Sequence, residues 1–198
     1  PFEVACLVGC GVTTGWGSAT HTAQIKPGED VAVVGVGGVG MAALQGAVNS
    51  GARKIFVIDP VEWKRDQALK FGATEVLDPT VDDVAALDPK VDAFVDASGA
   101  APAVVSGIKA VGPAGKVVLV GMGADEVTLP VGYIQNWEIT VTGVFRYTDT
   151  WPAAIHLVSS GAIDLDALVT GRYGLEHVAE ALDSDTDPAS LKSIVNPS

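Results

Sequence analysis

A glycine-rich turn follows the first aliphatic run of the sequence and could bind phosphate. Residues 31–34 are valine and alanine, and the sequence Gly-Val-Gly-Gly-Val-Gly comes directly after them, before a segment with helical spacing. In this G-x-G-x-x-G pattern the first glycine permits a tight turn, the second lets the backbone approach a pyrophosphate, and the third lets the helix pack closely on the strand. A helix N-terminus adds unbonded N–H groups and a favourable dipole. The expected phosphate-binding residues are Gly35, Gly37, Gly38, Val39 and Gly40.

An acidic residue stands where a ribose could bind. Asp59 ends the second aliphatic run, about twenty residues beyond the glycine-rich turn. A carboxylate at this point accepts hydrogen bonds from a ribose 2′-hydroxyl and repels a 2′-phosphate, so the sequence predicts NAD rather than NADP. Lys64, on the next helical segment, could flank the adenosine ribose, and the alternative for it is a solvated surface lysine.

Two other interpretations fit a glycine-rich turn. The turn could merely connect a strand to a helix, but here strand, helix and acidic residue coincide. A methyltransferase-like domain also pairs a glycine-rich loop with an acidic residue at the end of its second strand. The third glycine, Gly40, and the helical segment upstream of the turn argue against that class.

Strand-like and helix-like segments alternate from residue 31 onward. Six strands are predicted, at residues 31–34, 55–58, 75–77, 93–96, 117–120 and 139–144. The helices between them are predicted at residues 39–50, 61–71, 81–87 and 101–111. This alternation is expected of a parallel sheet covered by helices on both faces, so the predicted fold class is α/β, a doubly wound six-stranded parallel sheet, or Rossmann fold.

The flanking segments complete the expected domain organisation. Residues 4–24 predict an N-terminal helix. Beyond the sixth strand, a helix, a strand, a helix and a strand are predicted near residues 151–160, 168–173, 175–182 and 191–195. We therefore expect a connecting helix, a dinucleotide-binding domain and a short C-terminal α/β appendage, at residues 1–25, 26–162 and 163–198.

Composition argues against several classes of partner. The chain of 198 residues carries 24 acidic and 12 basic side chains, a net charge of -12, which repels nucleic acid and anionic membrane surfaces. Glycines and charges interrupt every apolar run, so no membrane span is expected. A chain of this size does not need a disulfide, and its two cysteines suggest a reducing compartment, the cytoplasm. Because the chain begins at Pro1 without a signal-like leader, we expect it to be part of a longer protein.

The first half of the chain resembles a known enzyme family. Residues 9–18, Gly-Cys-Gly-Val-Thr-Thr-Gly-Trp-Gly-Ser, followed by the glycine-rich turn, are similar to zinc alcohol dehydrogenases of the medium-chain superfamily, most of all the class III or formaldehyde-oxidising type. The resemblance implies that Cys10 is a ligand of a catalytic zinc ion. It also implies that Thr14 lies against the nicotinamide of NAD.

The second half resembles a different branch of that superfamily. Residues 119–123, Leu-Val-Gly-Met-Gly, and residues 143–147, Gly-Val-Phe-Arg-Tyr, are similar to sorbitol and xylitol dehydrogenases. This resemblance implies that Arg146 and Tyr147 lie near the cofactor and the substrate cleft. Polyol dehydrogenases usually carry a glutamate where this chain has Cys10, so the two halves indicate different substrates.

Most of the remaining expected cofactor contacts lie at the carboxyl ends of the fourth and fifth strands, where dinucleotides bind in this fold. The resemblance adds a lysine near the end of the chain, at a position where the family often has a pyrophosphate-binding arginine. These residues are Ala97, Ser98, Val120, Gly121, Met122 and Lys192. A lysine in that place keeps the charge but loses the bidentate fork of arginine.

The resemblance implies the NAD-binding domain of a zinc-dependent dehydrogenase, which transfers hydride between NAD and a primary or secondary alcohol or a polyol. We expect the other zinc ligands and the proton relay in a catalytic domain that this chain lacks, and therefore little turnover by the chain alone. One alternative is a stand-alone or engineered dinucleotide-binding module without catalysis. Another is a zinc-independent NADPH reductase of the same superfamily, against which Asp59 and Cys10 both argue.

An apolar segment before the sixth strand suggests self-association. Residues 127–131, Val-Thr-Leu-Pro-Val, resemble the dimer seam of the family, where two sheets join edge to edge. An exposed apolar edge favours pairing, so a homodimer or a dimer of dimers is expected. The alternative is that these residues fold back on the domain.

Overall fold

The computed structural model describes residues 1–146 and 149–197, and in them the predicted Rossmann fold is confirmed. The strands lie close to the predicted positions. They are β1 Asp30–Val34, β2 Lys54–Ile58, β3 Glu75–Leu77, β4 Val91–Asp96, β5 Val111–Leu119, β6 Thr140–Gly143, β7 Val169–Gly174 and β8 Lys192–Asn196.

The α-helices connect these strands and flank the sheet. They are α1 Phe2–Ala5, α2 Gly11–Gly17, α3 Gly38–Asn49, α4 Glu62–Lys70, α5 Ala101–Ala110, α6 Val131–Asn136, α7 Trp151–Ser159 and α8 Val178–Asp183. Short 3₁₀-helices occur at Cys6–Gly9, Val84–Ala86, Asp166–Leu168, Leu175–His177 and Ser184–Thr186, and a π-helical turn at Ser18–Thr22. No helix among the described residues has both the length and the apolar character that crossing a membrane requires.

Within the described residues, six strands form one sheet in the order β3-β2-β1-β4-β5-β6. Every neighbouring pair in this sheet is parallel. This is the order of a doubly wound dinucleotide-binding sheet, whose direction of growth reverses between β1 and β4. Ligands bind such sheets in the crevice beyond the carboxyl ends of the strands at that point. The strand order therefore predicts a ligand site at the ends of β1, β2 and β4.

The core lies on both faces of the sheet. Every residue of β1 is buried, which explains why its sequence is a continuous aliphatic run and not an alternating pattern. Met41 and Leu44 of α3 pack on one face, with Val31 and Val33. Phe94 and Ile108 are fully buried on the other. The two cores hold β1 and β4 rigidly, and hence the turns at their carboxyl ends.

The N-terminal region is helical as predicted, but in four consecutive stretches instead of one uninterrupted helix. The break falls at Cys10, whose φ of -137° and ψ of -67° are not helical. Its neighbours are both glycine, the poorest helix former after proline. Beyond the break, α2 packs on α3 so closely that a Cβ on Gly15 would lie 2.1 Å from the carbonyl oxygen of Val39. The break and this packing place α2 against the start of α3.

Three further elements differ from the sequence-based prediction. The helix predicted at residues 81–87 is only a short 3₁₀-helix, Val84–Ala86. β5 begins at Val111, directly after α5 and earlier than expected, and its pairing with β4 is irregular between Val91 and Ala93. The helix α6 was not predicted, because six residues carry too little periodic signal. The C-terminal strands β7 and β8 pair in parallel as a separate two-stranded sheet, which is the predicted α/β appendage.

An ion pair between a buried carboxylate and a largely exposed arginine lies at the amino end of β1. Asp30, at the start of β1, has a side chain only 2% exposed, and it receives hydrogen bonds from Arg53 Nε at 2.9 Å and Arg53 Nη2 at 2.7 Å. These bonds, together with the positive charge of Arg53, hold the pKa of Asp30 below its ordinary value of 3.8, against the opposing effect of burial. The pair fixes the start of β1 on the side of the sheet away from the predicted site.

Candidate functional site

The glycine-rich turn has the geometry that the sequence predicts. Gly35 has a φ of +77°, which favours glycine, and a Cβ there would lie 2.8 Å from backbone and side-chain atoms of Ser98. A Cβ on Gly40 would lie 2.0 Å from the carbonyl oxygen of Gly35, so helix and strand meet without room for a side chain. By contrast, no heavy atom among the described residues lies within 4 Å of a Cβ built on Gly37. The turn is packed on its inner side and open at Gly37, where a ligand could approach.

The open side of the turn carries positive potential. Helix α3 begins at Gly38, and no side chain of the described residues caps its N-terminus, so its first N–H groups remain available. Lys192 of β8 lies beside it: a Cβ on Gly38 would be 2.1 Å from Lys192 Cε, and one on Gly11 would be 3.1 Å from Lys192 Nζ. The N–H groups and dipole of α3, together with the ammonium group of Lys192, could bind a phosphate.

Asp59 lies directly beyond β2 and is tied to the glycine-rich turn. Its Oδ2 accepts a hydrogen bond from the backbone N–H of Val36 at 2.9 Å, and its Oδ1 accepts one from Val61 at 2.9 Å. The residue is 5% exposed, and no cationic side chain of the described residues pairs with its carboxylate. A carboxylate has about four acceptor positions, so Asp59 retains capacity for further donors.

A cavity of about 510 Å³ opens beyond the ends of β1, β2 and β4. Gly35 and Ser98 line it, as do Ile58 and Pro60 on either side of Asp59 in the sequence. The other lining residues are Val34, Pro79, Thr80, Asp82, Asp83, Val84, Ala100, Pro102, Ala103 and Ser106. Its volume is within the range of small-molecule sites, and its walls are mainly apolar with a few polar groups.

The ends of β4 and β5 meet at the same edge. Asp96 Oδ1 accepts hydrogen bonds from the backbone N–H of Ser98 at 3.0 Å and its hydroxyl at 2.6 Å, which fixes the turn after β4. The backbone N–H groups of Val120 and Gly121 both donate to the Asp96 carbonyl, at 2.8 and 2.9 Å. The structure therefore brings the backbone after β4 and the backbone after β5 together. The side chain of Met122, by contrast, is 86% exposed and does not line the cavity beyond β1, β2 and β4.

Thr14 is a buried polar residue with an unused hydroxyl. It lies on α2, is 9% exposed, and its Oγ1 has no hydrogen-bond partner among the described residues. A buried polar atom of this kind needs an explanation, and a bound ligand is one. The next residue, Gly15, lies against Val39 of the glycine-rich turn, so Thr14 is on a helix that contacts this turn. Val120 and Ala97 contribute backbone at the strand ends.

The described residues do not by themselves form a zinc site. Cys10 is exposed, and no group of three or more His, Cys, Asp or Glu side chains that could hold a metal ion occurs among them. The other cysteine, Cys6, donates its thiol to the carbonyl oxygen of Glu3 at 3.1 Å. Zinc sites in proteins have three or four protein ligands, so Cys10 could only be one member of a larger set.

Two other predicted site residues do not line the large cavity beyond β1, β2 and β4, and a third is not among the described residues. Arg146 has a φ of +69°, stacks over Phe145 with Cζ 5.0 Å from the ring centroid, and lines a separate cavity of about 130 Å³. Tyr147 lies outside the described residues. Lys64, half-buried in the first turn of α4, is not among the residues that line the large cavity.

Two residues near Asp59 were missed by the sequence analysis, one on α4 and one directly after β3. Arg65 of α4 donates from Nη1 to the backbone carbonyl of Asp59 at 2.7 Å, and the same Nη1 lies 3.1 Å from Asp78 Oδ2. Asp78 follows β3 directly, as Asp59 follows β2. The position of Asp78 directly after a strand could have predicted that it lies near Asp59. No pattern in the sequence indicated the direction of the Arg65 side chain.

The segment predicted to join two copies of the chain is not a strand in the described structure. Residues 124–130 are irregular, and α6 begins at Val131. Leu129 packs against the core, as the alternative interpretation predicted, while Val131 is 58% exposed. A homodimer therefore stays a prediction.

Sequence comparison identifies relatives of the chain. A family described as zinc-binding dehydrogenase matches residues 38–160. Alcohol dehydrogenase B from Mycobacterium tuberculosis is 40% identical over 210 residues, which cover 98% of this chain and 56% of that protein. The chain thus spans little more than half the length of the curated relatives that it matches, and the predicted resemblance is confirmed.

Solved structures share the fold over nearly the whole chain. Benzyl alcohol dehydrogenase from Acinetobacter calcoaceticus superposes with a TM-score of 0.92 at 26% identity, covering 98% of this chain and 57% of that one. A zinc-binding dehydrogenase from Sinorhizobium meliloti, solved bound to NADP, superposes with a TM-score of 0.88 at 26% identity, covering 94% and 57%. Both structures extend well beyond the part that this chain matches.

Proposed function

This chain belongs to the zinc-binding dehydrogenase family, and from that premise we propose that it is the NAD-binding domain of an alcohol or polyol dehydrogenase. The observation that carries the proposal is Asp59: its buried carboxylate is held by the backbone N–H groups of Val36 and Val61 and is paired with no cation of the described residues. Such a carboxylate accepts hydrogen bonds from the hydroxyls of an adenosine ribose. NAD, when bound, supplies the hydride acceptor of the reaction.

The other features of the carboxyl edge support the same assignment. The uncapped N-terminus of α3 and Lys192 provide positive potential for a pyrophosphate, and the open space at Gly37 allows its approach. The apolar cavity lined by Ile58 and Ser98 provides room for the adenosine. The unused hydroxyl of Thr14 provides a hydrogen-bonding group for the nicotinamide end.

The activity of the whole protein is part of the proposal. We expect hydride transfer between NAD and a primary or secondary alcohol or a polyol, with Cys10 as one thiolate ligand of zinc. The described residues provide no second ligand, so the remaining ligands would come from parts of the protein outside this chain. The chain alone is therefore expected to bind cofactor with little turnover. A homodimer through the region of residues 127–131 and a cytoplasmic location belong to the same proposal.

Calorimetric titration of the 198-residue chain with NADH and with NADPH tests the proposal. We expect preferential binding of NADH, and Asp59→Ala should lower that affinity by about tenfold or more, because each lost charge-assisted hydrogen bond removes a substantial part of the binding free energy. Asp66→Ala is the matched control. It removes one negative charge from the exposed surface of α4, outside the wall of the cavity and the hydrogen bonds of Asp59, and should leave NADH affinity nearly unchanged.

Two outcomes would contradict the proposal. A folded chain that binds neither nucleotide would remove the cofactor assignment from this chain. A chain that binds NADH equally well with and without the Asp59 carboxylate would show that the ribose does not lie at the end of β2.

A further inference from the structure

A cationic side chain lies at the point where a 2′-phosphate would be recognised. Arg65 Nη1 donates to the backbone carbonyl of Asp59 at 2.7 Å, so its guanidinium lies at the end of β2 beside the residue proposed to hold the ribose. An arginine at this end of the sheet is how the fold accommodates a 2′-phosphate, and the guanidinium fork matches phosphate geometry. The chain therefore contains a group suited to NADP at the site proposed for NAD.

Asp78 pairs with that arginine. Asp78 Oδ2 lies 3.1 Å from Arg65 Nη1, and the two side chains are only 24% and 15% exposed. Salt and water screen a partly buried pair less than a fully exposed one. The pair therefore holds the Arg65 guanidinium against the Asp78 carboxylate.

The carboxylate of Asp78 is itself held by its neighbours. Its Oδ1 accepts hydrogen bonds from the hydroxyl of Thr80 at 2.7 Å and from the backbone N–H of Thr80 at 2.9 Å. Its own backbone N–H donates to Asp82 Oδ2 at 2.8 Å. The two bonds from Thr80, and then the charge of Arg65, keep the pKa of Asp78 below its ordinary value, so Asp78 is ionised at neutral pH.

We propose that Asp78 determines cofactor specificity by holding Arg65 in an ion pair and so withholding this arginine from a cofactor 2′-phosphate. Selectivity for NAD would then depend on two acidic residues: Asp59, which binds the ribose hydroxyls, and Asp78, which acts through Arg65 and is a positioning residue. This inference rests on the proposed function, because it needs the adenosine ribose to lie beside Asp59. It adds a second source of selectivity to the repulsion of a 2′-phosphate by Asp59, namely the removal of an arginine that could bind that phosphate.

A purely structural role for the pair would have a different signature. The ion pair also ties α4 to the end of β3, and loss of such a tie would change the stability of the protein. It would not change the ratio of the affinities for two cofactors that differ only in a 2′-phosphate. That ratio is therefore the diagnostic quantity, and stability is measured beside it.

Asp78→Asn isolates the charge of the residue. Asparagine retains a side-chain carbonyl that accepts the hydrogen bonds from Thr80, but it cannot pair with Arg65 as an anion. Titrations of the full chain with NADH and NADPH, and with 5′-AMP and adenosine 2′,5′-bisphosphate as smaller probes, should show the ratio of NADPH to NADH affinity rising by about tenfold. NADH affinity itself should stay within about twofold, because its ribose contacts are unchanged.

Two further variants test whether the effect passes through Arg65. Asp78→Asn combined with Arg65→Ala should return the ratio to its original value, because the group that would bind the phosphate is gone. Asp66→Asn removes the same charge from the exposed surface of α4 and lies outside both the Arg65 pair and the cavity wall, so any change there measures general electrostatics alone. Should Asp78→Asn not fold, Asp78→Ser offers a hydroxyl acceptor to Thr80 and repeats the test.

The outcomes separate this inference from the proposed function. If the unmodified chain binds NADH but Asp78→Asn leaves the cofactor ratio unchanged, only the role of Asp78 is overturned. The same holds if Asp66→Asn raises the ratio equally, or if the double variant keeps the gain. If the unmodified chain binds no nucleotide, the proposed function fails and this inference fails with it.

Discussion

The six-stranded sheet holds buried carboxylates in different ways at the amino ends of its strands, here called the amino edge, and at their carboxyl ends, the carboxyl edge. At the amino edge, Asp30 receives two hydrogen bonds from Arg53, and its charge is neutralised. At the carboxyl edge, Asp59 is about as buried, but its described partners are two backbone N–H groups and no cation. A neutralised carboxylate stabilises the fold, whereas one with remaining acceptor capacity beside a cavity is suited to binding a ligand.

Three other buried polar atoms have no hydrogen-bond partner among the described residues: Thr14 Oγ1 and Trp16 Nε1 on α2, and Asp96 Oδ2 at the end of β4. Such atoms reduce the stability of a protein unless a ligand or water satisfies them. The comparison therefore separates one end of the sheet, where a cation pairs with the buried carboxylate, from the other end, where the buried carboxylate keeps acceptor capacity for a ligand, and four variants test that distinction.

The largest effect is expected from Gly40→Val. A Cβ at this position would lie 2.0 Å from the carbonyl oxygen of Gly35, and backbone cannot move aside as a flexible side chain can. We expect the free energy of unfolding to fall by at least about 3 kcal/mol in urea denaturation. Gly132→Ala is the control, because no heavy atom of the described residues lies within 4 Å of a Cβ there. Equal stability of both variants would contradict the described packing of strand on helix.

The next effect is expected from Asp30→Asn at the amino edge. The substitution removes the ion pair with Arg53, and we expect a loss of about 2 kcal/mol in the free energy of unfolding at pH 7. NADH affinity should not change, because Asp30 lies at the edge away from the cavity. A variant of unaltered stability with impaired NADH binding would reverse the roles that we assign to the two edges.

The ion pair of Asp30 also predicts a pH dependence. Its pKa in the folded state lies below the ordinary value of 3.8, chiefly because of the hydrogen bonds from Arg53. The stabilisation is therefore fully present above the unfolded-state pKa and is lost as the pH falls through the lower, folded-state pKa. Denaturation series at decreasing pH should show this acid loss in the unmodified chain and a shallower one in Asp30→Asn. Parallel pH profiles would be inconsistent with a lowered pKa.

A smaller effect, and on binding alone, is expected from Gly37→Ala. The space around Gly37 is open, so the free energy of unfolding should change by no more than about 0.5 kcal/mol. The added methyl group would stand where the backbone approaches a pyrophosphate, and NADH affinity should fall by about tenfold. Calorimetric titration compares the NADH affinity of Gly37→Ala with that of the control Gly132→Ala. Unaltered NADH affinity in Gly37→Ala would mean that the pyrophosphate does not bind at Gly37.

The smallest effect is expected from Thr14→Val, which replaces the unused hydroxyl with a methyl group of similar size. Stability should be unchanged or higher by up to about 1 kcal/mol, because an unsatisfied buried hydroxyl is removed. NADH affinity should fall by about threefold while 5′-AMP affinity stays the same, since only the nicotinamide end is affected. Equal losses for both nucleotides would mean that Thr14 acts on the fold and not on the nicotinamide.

Much of the fold could be predicted from the sequence because the sheet is buried on both faces. Strands such as β1 and β2 must then be short aliphatic runs, and these are visible without any structure. The glycine-rich turn could also be predicted from the sequence, because the close approach of backbone to backbone allows only glycine there. The start of β5 and the helix α6 could not be predicted, because they depend on neighbouring elements more than on local periodicity.

The sequence by itself determined that Asp59 would end a strand about twenty residues beyond the glycine-rich turn, and this spacing made it the ribose-binding candidate. Asp30 and Asp78 also stand beside aliphatic runs, but the sequence analysis gave them no role. Only the tertiary structure decided that Arg53 pairs with Asp30 and Arg65 with Asp78, while no cation of the described residues pairs with the Asp59 carboxylate. The reason is geometric: the partner of a buried carboxylate is set by how helices and strands pack, and that packing is a property of the whole fold.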